Sequence, residues 1–231
     1  MFCCINVVRY RHCERTTTVR IFRRLRISVC SNPRRDVDRR GKTKISVIFT
    51  NCHGRKAMLK FKESSFLSKR GFCFLSETMV KEEKHSSCFP NKQNFVVHAT
   101  KQPRPGGLEW YANPKFEAKQ LFASQIVLVI GVQDHDAFVG VYYKPSTTLD
   151  DLSTDLEAAL SHVPPGSVTV LGGDFNLRPS STEFREVNAL LNRHGLSLHS
   201  PTDQTTYHHL NSSSTLDYIF VTTGSHTEEP I

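Results

Sequence analysis

The sequence predicts an α/β fold, and three observations predict it. Apolar side chains alternate with a period of two in several short runs, as they do in strands with one buried face. Between these runs lie segments in which leucines recur at helical spacing. The chain also has 231 residues, of which 38% are hydrophobic, which suits one domain with a sizeable core, or a smaller domain with tails. Helices that flank several strands indicate α/β layers.

Residues 1–43 differ in charge from the rest of the chain. Residues 1–44 hold 13 of the 30 lysines and arginines, so the net charge of +8 belongs mainly to this segment. We therefore predict a basic, disordered leader over 1–43 and a folded domain over 44–231. Three roles stay open for the leader: an organelle transit peptide, an arm that touches phosphates, or no function in this product.

The folded domain is predicted to begin with two neighbouring strands. Residues 45–51 alternate between apolar and polar side chains and end at Asn51. Residues 55–68 predict a helix, and residues 72–75 predict a short buried strand that is followed by Glu77. Because a helix between two strands makes the strands neighbours, we expect Asn51 and Glu77 on the same rim of the sheet.

Further strands are predicted from apolar alternation between turn residues. They cover residues 93–98, 107–112, 124–132 and 137–143, and the last two are expected to form a hairpin. The sheet content of the domain is therefore expected to exceed its helix content.

Two helices and a strand between them are predicted next. A stripe of leucines predicts a helix over about 148–162. The apolar residues of 168–171 predict a strand that leads to Asp174. Ser180 and Glu183 have the spacing of a capping box and predict the start of a second helix.

Two acids in apolar surroundings stand out as functional candidates. Asp174 and Asn176 follow a buried strand two residues apart, so in an extended segment their side chains point the same way. They are therefore candidates for facing one phosphate or one metal ion together. Asp217 lies within the apolar run 216–221, where a charge without compensation would cost several kcal/mol. We expect Asp217 to have a partner.

The chain carries five short motifs in one order. They are Asn51-Cys52-His53-Gly54, Leu75-Ser76-Glu77-Thr78, Tyr143-Lys144-Pro145, Gly173-Asp174-Phe175-Asn176 and Leu216-Asp217-Tyr218-Ile219. With the pair Gly106-Gly107, this order resembles the endonuclease/exonuclease/phosphatase superfamily of metal-dependent phosphodiesterases, in particular the endonuclease domain of non-LTR retrotransposons. The resemblance covers about 44 to 221. It implies a four-layer αββα sandwich of two packed mixed sheets flanked by helices.

The resemblance also implies a metal site. Glu77 matches the family's metal-binding glutamate, and Asn51 would help to hold that region through its amide. The implied cofactor is Mg²⁺, or Mn²⁺, because phosphodiester hydrolysis needs a hard cation held by oxygen atoms. From the residues alone, a solvated loop carboxylate and a turn asparagine stay open as alternatives for these two positions.

Four further residues receive roles from the resemblance. Asp174 would orient and deprotonate the attacking water, and Asn176 would bond the phosphate. Tyr143 would point its hydroxyl group at the phosphate, although a core tyrosine is an open alternative. Asp217 would support a catalytic histidine or the rim of the metal site. A structural turn stays open as the alternative for Asp174 and Asn176. A paired structural acid stays open as the alternative for Asp217.

The chain also departs from the family pattern. The family's closing Ser-Asp-His is missing, since the chain ends ten residues after Val221, and His53 replaces an acid that is common in the first motif. We expect the last strand to be absent and activity to be weak or lost. Two functions are therefore carried forward: a DNA endonuclease of retrotransposon type, and an inactive truncated remnant. A DNA-repair endonuclease or a phosphatase of the same fold is a variant of the first.

Composition limits the location and partners of the protein. The seven cysteines are odd in number and lack Cys-x-x-Cys spacing, so neither a zinc site nor a disulfide framework is indicated. An intracellular, reducing compartment is expected, with the nucleus favoured and the mitochondrion open because of the Arg-rich leader. No apolar run approaches the length of a membrane span. We expect a monomer whose partner is DNA.

Overall fold

The computed structural model describes the backbone over residues 4–12, 20–28, 44–52, 71–80, 91–99, 106–132, 136–144, 146–200, 207–209, 212–214 and 217–222. Side chains are described over 47–52, 71–80, 91–99, 106–132, 136–144, 146–200 and 217–222. The helix predicted over 55–68 lies outside these residues, as do His53, Pro145 and Leu216.

The first sheet has six strands. In chain order these are β1 Cys4–His12, β2 Arg20–Ser28, β3 Lys44–Asn51, β4 Phe72–Ser76, β5 Gln93–Val97 and β6 Leu108–Ala112. Their spatial order is β1-β2-β3-β4-β6-β5. Among the described strands of this sheet, only β3 and β4 are parallel. Asn51 lies opposite Ser76, so both strands end at the same edge. The predicted common rim of Asn51 and Glu77 follows from that pairing.

The second sheet also has six strands. They are β7 Ala118–Ala123, β8 Val127–Val132, β9 Asp136–Tyr142, β10 Val168–Asp174, β11 Leu196–Leu198 and β14 Asp217–Thr222, in the spatial order β11-β14-β10-β9-β8-β7. The strands β9 and β10 are parallel and the other pairs are antiparallel. A separate pair consists of β12 Tyr207–His209 and β13 Ser212–Ser214. Two packed mixed sheets confirm the predicted fold class.

Some strands differ from the sequence prediction. The predicted strand over 124–132 is shorter, and a further strand, β7, precedes it. Half of the β7 side chains are exposed, because it is the edge strand of its sheet, so the strand carries no continuous apolar signal.

Two strands lie within the segment 1–43. The strands β1 and β2 pair with each other and extend the first sheet beyond β3, whereas the sequence predicts a disordered leader there. The division of the chain into a leader and a domain at residue 44 stays a prediction.

Two helices cover the outer face of the second sheet. The helix α1, Leu149–Ser161, begins at a capping box formed by Thr148 and Asp151 and agrees with the prediction over 148–162. The helix α2, Thr182–Arg193, begins at Ser181, whose hydroxyl group accepts a hydrogen bond from the backbone N–H of Phe184. The predicted capping box of Ser180 and Glu183 is therefore wrong, because the N-cap is Ser181 and the residue three positions later is Phe184. In the described part of the chain, neither helix nor any other has the length and apolarity needed to cross a membrane.

The core has two main layers separated by the second sheet. One layer lies between the sheets and is rich in aromatic rings, which belong to Phe49, Phe72, Phe74, Trp110, Phe116, Phe138 and Tyr142. The other layer lies between the second sheet and the two helices. Successive residues of β9 and β10 alternate between these layers, because neighbouring side chains of a strand point to opposite faces.

Two glycines admit aromatic rings from the opposite sheet. A Cβ atom at Gly172 of β10 would lie 2.9 Å from Cδ2 of Phe49 in β3. A Cβ atom at Gly140 of β9 would overlap the ring of Phe74 in β4. The rings of Phe49 and Phe74 therefore rest directly on the backbone of the second sheet, at the strands that lead to the predicted site.

Candidate active site

The ends of two strands from different sheets meet at one rim. Asn51 is the last residue of β3, and Asp174 is the last residue of β10. The side-chain amide of Asn51 donates a hydrogen bond from Nδ2 to Oδ2 of Asp174 over 2.8 Å. Two residues that the sequence predicts in separate motifs therefore share one contact.

The other oxygen of Asp174 is held by the loop that follows β10. The backbone N–H of Asn176 donates to Oδ1 of Asp174 over 3.0 Å. Asn176 has a φ of 48°, in the left-handed region that asparagine adopts more readily than most residues. Its Nδ2 donates to the carbonyl oxygen of Tyr143 over 2.7 Å, which leaves the amide a second N–H for another acceptor.

Glu77 lies in the segment that follows β4. The hydroxyl group of Tyr142 donates to Oε1 of Glu77 over 2.5 Å. The backbone here is fixed by Gly106 and Gly107, whose carbonyl oxygens accept from the N–H groups of Met79 and Thr78 at 2.9 and 3.3 Å. Because Tyr142 ends β9, this contact is a second bridge between the two sheets at the rim.

Asp217 begins β14 and lies opposite Asp174 in the antiparallel pairing of β14 with β10. It is half-buried, and its charge acts on Asp174. Asp174 carries a charge of the same sign and does not compensate that of Asp217, so the expected partner of Asp217 stays a prediction.

Burial and charge raise the pKa of Asp174 well above its ordinary value. Burial is the largest cause, and the negative charge of Asp217 is the next. The hydrogen bonds from Asn51 and Asn176 lower the pKa, and the charge of Glu77 raises it again. Three carboxylates therefore influence one another at the rim, an arrangement that favours binding of a proton or a cation.

The donor set suits a hard divalent cation. Glu77 and Asp217 carry carboxylate oxygen atoms, and Asn51 carries an amide oxygen atom. Mg²⁺ is commonly bound through one or two carboxylates with several water molecules. Within the described ranges, no three His, Cys, Asp or Glu side chains form a group that could hold a metal ion by themselves. A site built on Glu77 with water as the remaining ligands is compatible with that geometry.

The structure distinguishes the two adjacent tyrosines. Tyr142 faces the space between the sheets, whereas the side chain of Tyr143 packs in the layer under the helices. The pKa of Tyr143 is raised by burial and then by the charges of Glu183 and Asp151, both of which belong to helices. Tyr143 is the tyrosine predicted from the sequence, but the tyrosine that contacts Glu77 is Tyr142. The predicted contact of Tyr143 with a phosphate stays a prediction.

The phase of β9 explains the position of Tyr142. The parallel pairing of β9 with β10 places Tyr142 beside Asp174, and Tyr142 shares its face with the buried Phe138. A residue in phase with the inter-sheet core at the end of a strand reaches the rim between the sheets.

A sequence model of the Endonuclease/Exonuclease/phosphatase family matches residues 44–230. An AP endonuclease from Archaeoglobus fulgidus has a similar structure, with a TM-score of 0.56 and 14% identity over 77% of this chain and 86% of that chain. A 3′ phosphatase from Neisseria, bound to a product DNA hairpin, has a TM-score of 0.55 and 14% identity over 74% of this chain and 84% of that chain. A β-hairpin deletion mutant of β toxin from Staphylococcus aureus has a TM-score of 0.50 and 12% identity over 77% of this chain and 82% of that chain. No curated protein matches the chain.

Proposed function

This chain belongs to the endonuclease/exonuclease/phosphatase family, and we propose that it is a divalent-metal-dependent phosphodiesterase that nicks DNA. The observation that carries the proposal is the meeting of Asn51, Glu77, Asp174 and Asn176 at one rim between the sheets. DNA is favoured as the substrate because two proteins of similar structure are, by their names, an AP endonuclease and a phosphatase bound to DNA.

In this proposal Asp174 accepts a proton from the attacking water. A general base works best when its pKa lies near the working pH, and burial beside Asp217 raises the pKa of Asp174 in that direction. The hydrogen bonds from Asn51 and from the N–H of Asn176 fix the plane of the carboxylate. Each oxygen keeps a further lone pair that can face the water molecule.

Glu77 is the proposed metal ligand, assisted by Asn51. When bound, Mg²⁺ or Mn²⁺ would neutralise the negative charge that develops on the phosphate and the leaving oxygen. Tyr142 holds the carboxylate of Glu77 in one orientation through its hydroxyl group. The free N–H of the Asn176 amide is proposed to bind a phosphate oxygen, and Tyr143 stays a candidate for a second such donor. Asp217 would support the rim beside Asp174.

The finer proposal is a DNA endonuclease of the non-LTR retrotransposon type, which is supported by the order of the five motifs. A DNA-repair endonuclease or a phosphatase is the alternative, and the names of the two similar DNA-processing proteins favour it. An inactive remnant is the remaining alternative.

A comparison of substrates tests these functions. The purified chain is incubated with Mg²⁺ or Mn²⁺ and with supercoiled plasmid, a duplex containing an abasic site, or a duplex ending in a 3′ phosphate. Nicking of the unmodified plasmid is expected, with loss of activity in EDTA. Preference for the abasic site or for the 3′ phosphate would replace the retrotransposon type by the repair or phosphatase alternative.

Two aspartate variants show whether the rim carries the reaction. Asp174→Ala is expected to abolish nicking, whereas Asp150→Ala, an exposed aspartate in the first turn of α1, should nick at the rate of the unaltered protein. Equal rates in both variants would remove Asp174 from the mechanism. A folded chain that is inert towards all three substrates would favour the remnant.

A further inference from the structure

Lys144 occupies an unusual place for a lysine. It lies two residues after Tyr142, in the segment that leaves β9, and its side chain is only 9% exposed. A Cβ atom at Gly106 would lie 2.5 Å from Cε and 2.8 Å from Nζ of Lys144, and 3.5 Å from Cε1 of Tyr142. The lysine amine and the edge of the Tyr142 ring therefore meet over the backbone of Gly106.

Within the described part of the chain, the ammonium group of Lys144 has no ion-pair partner. The ion pair between Arg193 and Glu157 does not involve Lys144. Burial lowers the pKa of Lys144, and no neighbouring charge offsets that effect. Lysine is rarely buried unless it is paired, because removing its charge from water is costly. An anion from outside the chain would supply the missing partner.

A cavity is lined in part by Lys144. Its volume is about 450 Å³, and its wall is formed by Gln125, Ile126, Lys144, Thr147, Asp151, Thr154 and Asp155. Asp151 forms part of the capping box of α1. Its carboxylate accepts hydrogen bonds from Oγ1 of Thr148 at 2.7 Å and from the backbone N–H of Thr148 at 3.2 Å. Asp155 leaves the helix side of the cavity acidic, so an anion is expected at the Gly106 side, near the amine.

We propose that Lys144 forms a phosphate subsite beside the candidate active site, which binds a DNA backbone phosphate that flanks the bond to be cut. The subsite rests on the proposed function, because a phosphodiester strand must cross the rim. Tyr142 separates it from the metal region, since its hydroxyl group contacts Glu77 while its ring edge faces Gly106 and the lysine. For that reason the phosphate at Lys144 is a neighbour of the reacting phosphate.

Direct DNA binding tests the subsite without requiring cleavage. The dissociation constant of a fluorescein-labelled duplex is measured by anisotropy at several salt concentrations, with Ca²⁺ in place of Mg²⁺. Lys144→Met should weaken binding several-fold and reduce the salt slope by about 1, as expected when one phosphate contact is lost. Lys144→Gln serves as a second variant in case the methionine disturbs packing, and thermal midpoints confirm that both variants fold.

Two further variants separate position from charge. Lys119→Met removes the same charge from an exposed position on β7, where Lys119 pairs with Gly131 at the end of the sheet away from the rim. It should leave the salt slope unchanged. Gly106→Ala keeps the lysine but moves its amine, and should weaken binding as Lys144→Met does. Equal affinities and slopes for the Lys144 and Lys119 variants would overturn the proposal.

The outcomes also separate the subsite from the proposed function. Binding that depends on Lys144 in a protein that does not nick any substrate would support the subsite and overturn the endonuclease. Nicking by a protein whose DNA affinity does not depend on Lys144 would overturn the subsite alone. A protein that neither binds nor nicks DNA would overturn both.

Discussion

The amide of Asn51 lies 2.8 Å from the carboxylate of Asp174 and joins the last residues of β3 and β10, which belong to different sheets. The two residues are 123 positions apart in the chain. The geometry of the candidate site therefore depends on how the sheets pack, and not on any local segment alone.

Asn51→Ala removes the donor but leaves the buried acceptor. We expect a loss of about 1–3 kcal/mol in the free energy of unfolding, since a buried polar group that loses its partner bears its full desolvation cost. Nicking should slow by about 10²–10³, the range seen when one preorganised donor is lost from an active site. Urea denaturation and single-turnover nicking measure the two effects. Asn192→Ala, at an exposed position on α2, is the control, and equal losses in both variants would contradict the prediction.

The pKa of Asp174 makes stability depend on pH. Burial and Asp217 raise this pKa in the folded protein, so the folded chain binds more protons than the unfolded chain between the unfolded and the folded pKa values. Stability without metal should therefore fall as pH rises through that window. Asp174→Asn, which stays neutral, should show a flatter dependence when unfolding is measured in EDTA over a pH series. Parallel curves for the two proteins would show that Asp174 titrates normally.

Glu77→Gln keeps the size of the side chain but removes its charge. Mg²⁺ or Ca²⁺ should raise the thermal midpoint of the unaltered protein, because a ligand that binds the folded state stabilises it, and the rise should be absent in the variant. Glu117→Gln, at an exposed position before β7, should keep the full rise. An equal rise in all three proteins would remove Glu77 from the metal site.

Tyr142→Phe keeps the ring between the sheets and removes the hydrogen bond to Glu77. Partners that orient a metal ligand commonly contribute 10- to 100-fold to metal affinity, so we expect a loss of about tenfold or more. Titration calorimetry with Mg²⁺ or Mn²⁺ measures it directly. Tyr143→Phe should keep the metal affinity and, if its predicted phosphate contact holds, should affect nicking alone. Unchanged affinity in the Tyr142 variant would assign that tyrosine to packing only.

Cys73 should resist alkylation in the folded protein. Burial is the main cause that raises its pKa to about 12, with Lys92 lowering and Glu109 raising it. Since the thiolate is the reactive form, iodoacetamide at pH 8 should modify Cys73 only after urea is added. Peptide mapping by mass spectrometry identifies the modified cysteine. Rapid modification without urea would show that β4 opens readily or that this face of the sheet is accessible.

Much of this site could be predicted, because the periodicity of apolar residues shows where strands end. The alternation in residues 45–51 and the apolar run before Asp174 locate two strand ends, and the parallel pairing of β3 and β4 brings Asn51 and Glu77 to one edge. Side chains at strand ends converge when the strands share a direction and a sheet, so these parts follow from short-range pattern and connectivity.

The remaining parts depend on packing that the sequence does not display. Choosing between Tyr142 and Tyr143 requires the face of β9 that meets the first sheet, which the sequence pattern left undecided. The start of α2 at Ser181 shows the same limit, because Ser180 offers the same hydroxyl group one residue earlier. The half-exposed edge strand β7 gives no continuous apolar signal.

The aromatic rings on Gly140 and Gly172 set the width of the gap in which the reaction would occur. Phe49 and Gly172 each lie two residues before the members of the Asn51–Asp174 pair, and Gly140 lies two residues before Tyr142. The distance between the two sheets at the rim therefore depends on how closely the rings of Phe49 and Phe74 pack on the backbone of Gly172 and Gly140. A single methyl group at Gly172 would widen that distance and separate Asn51 from Asp174, so a purely apolar change could abolish the activity proposed for the polar site.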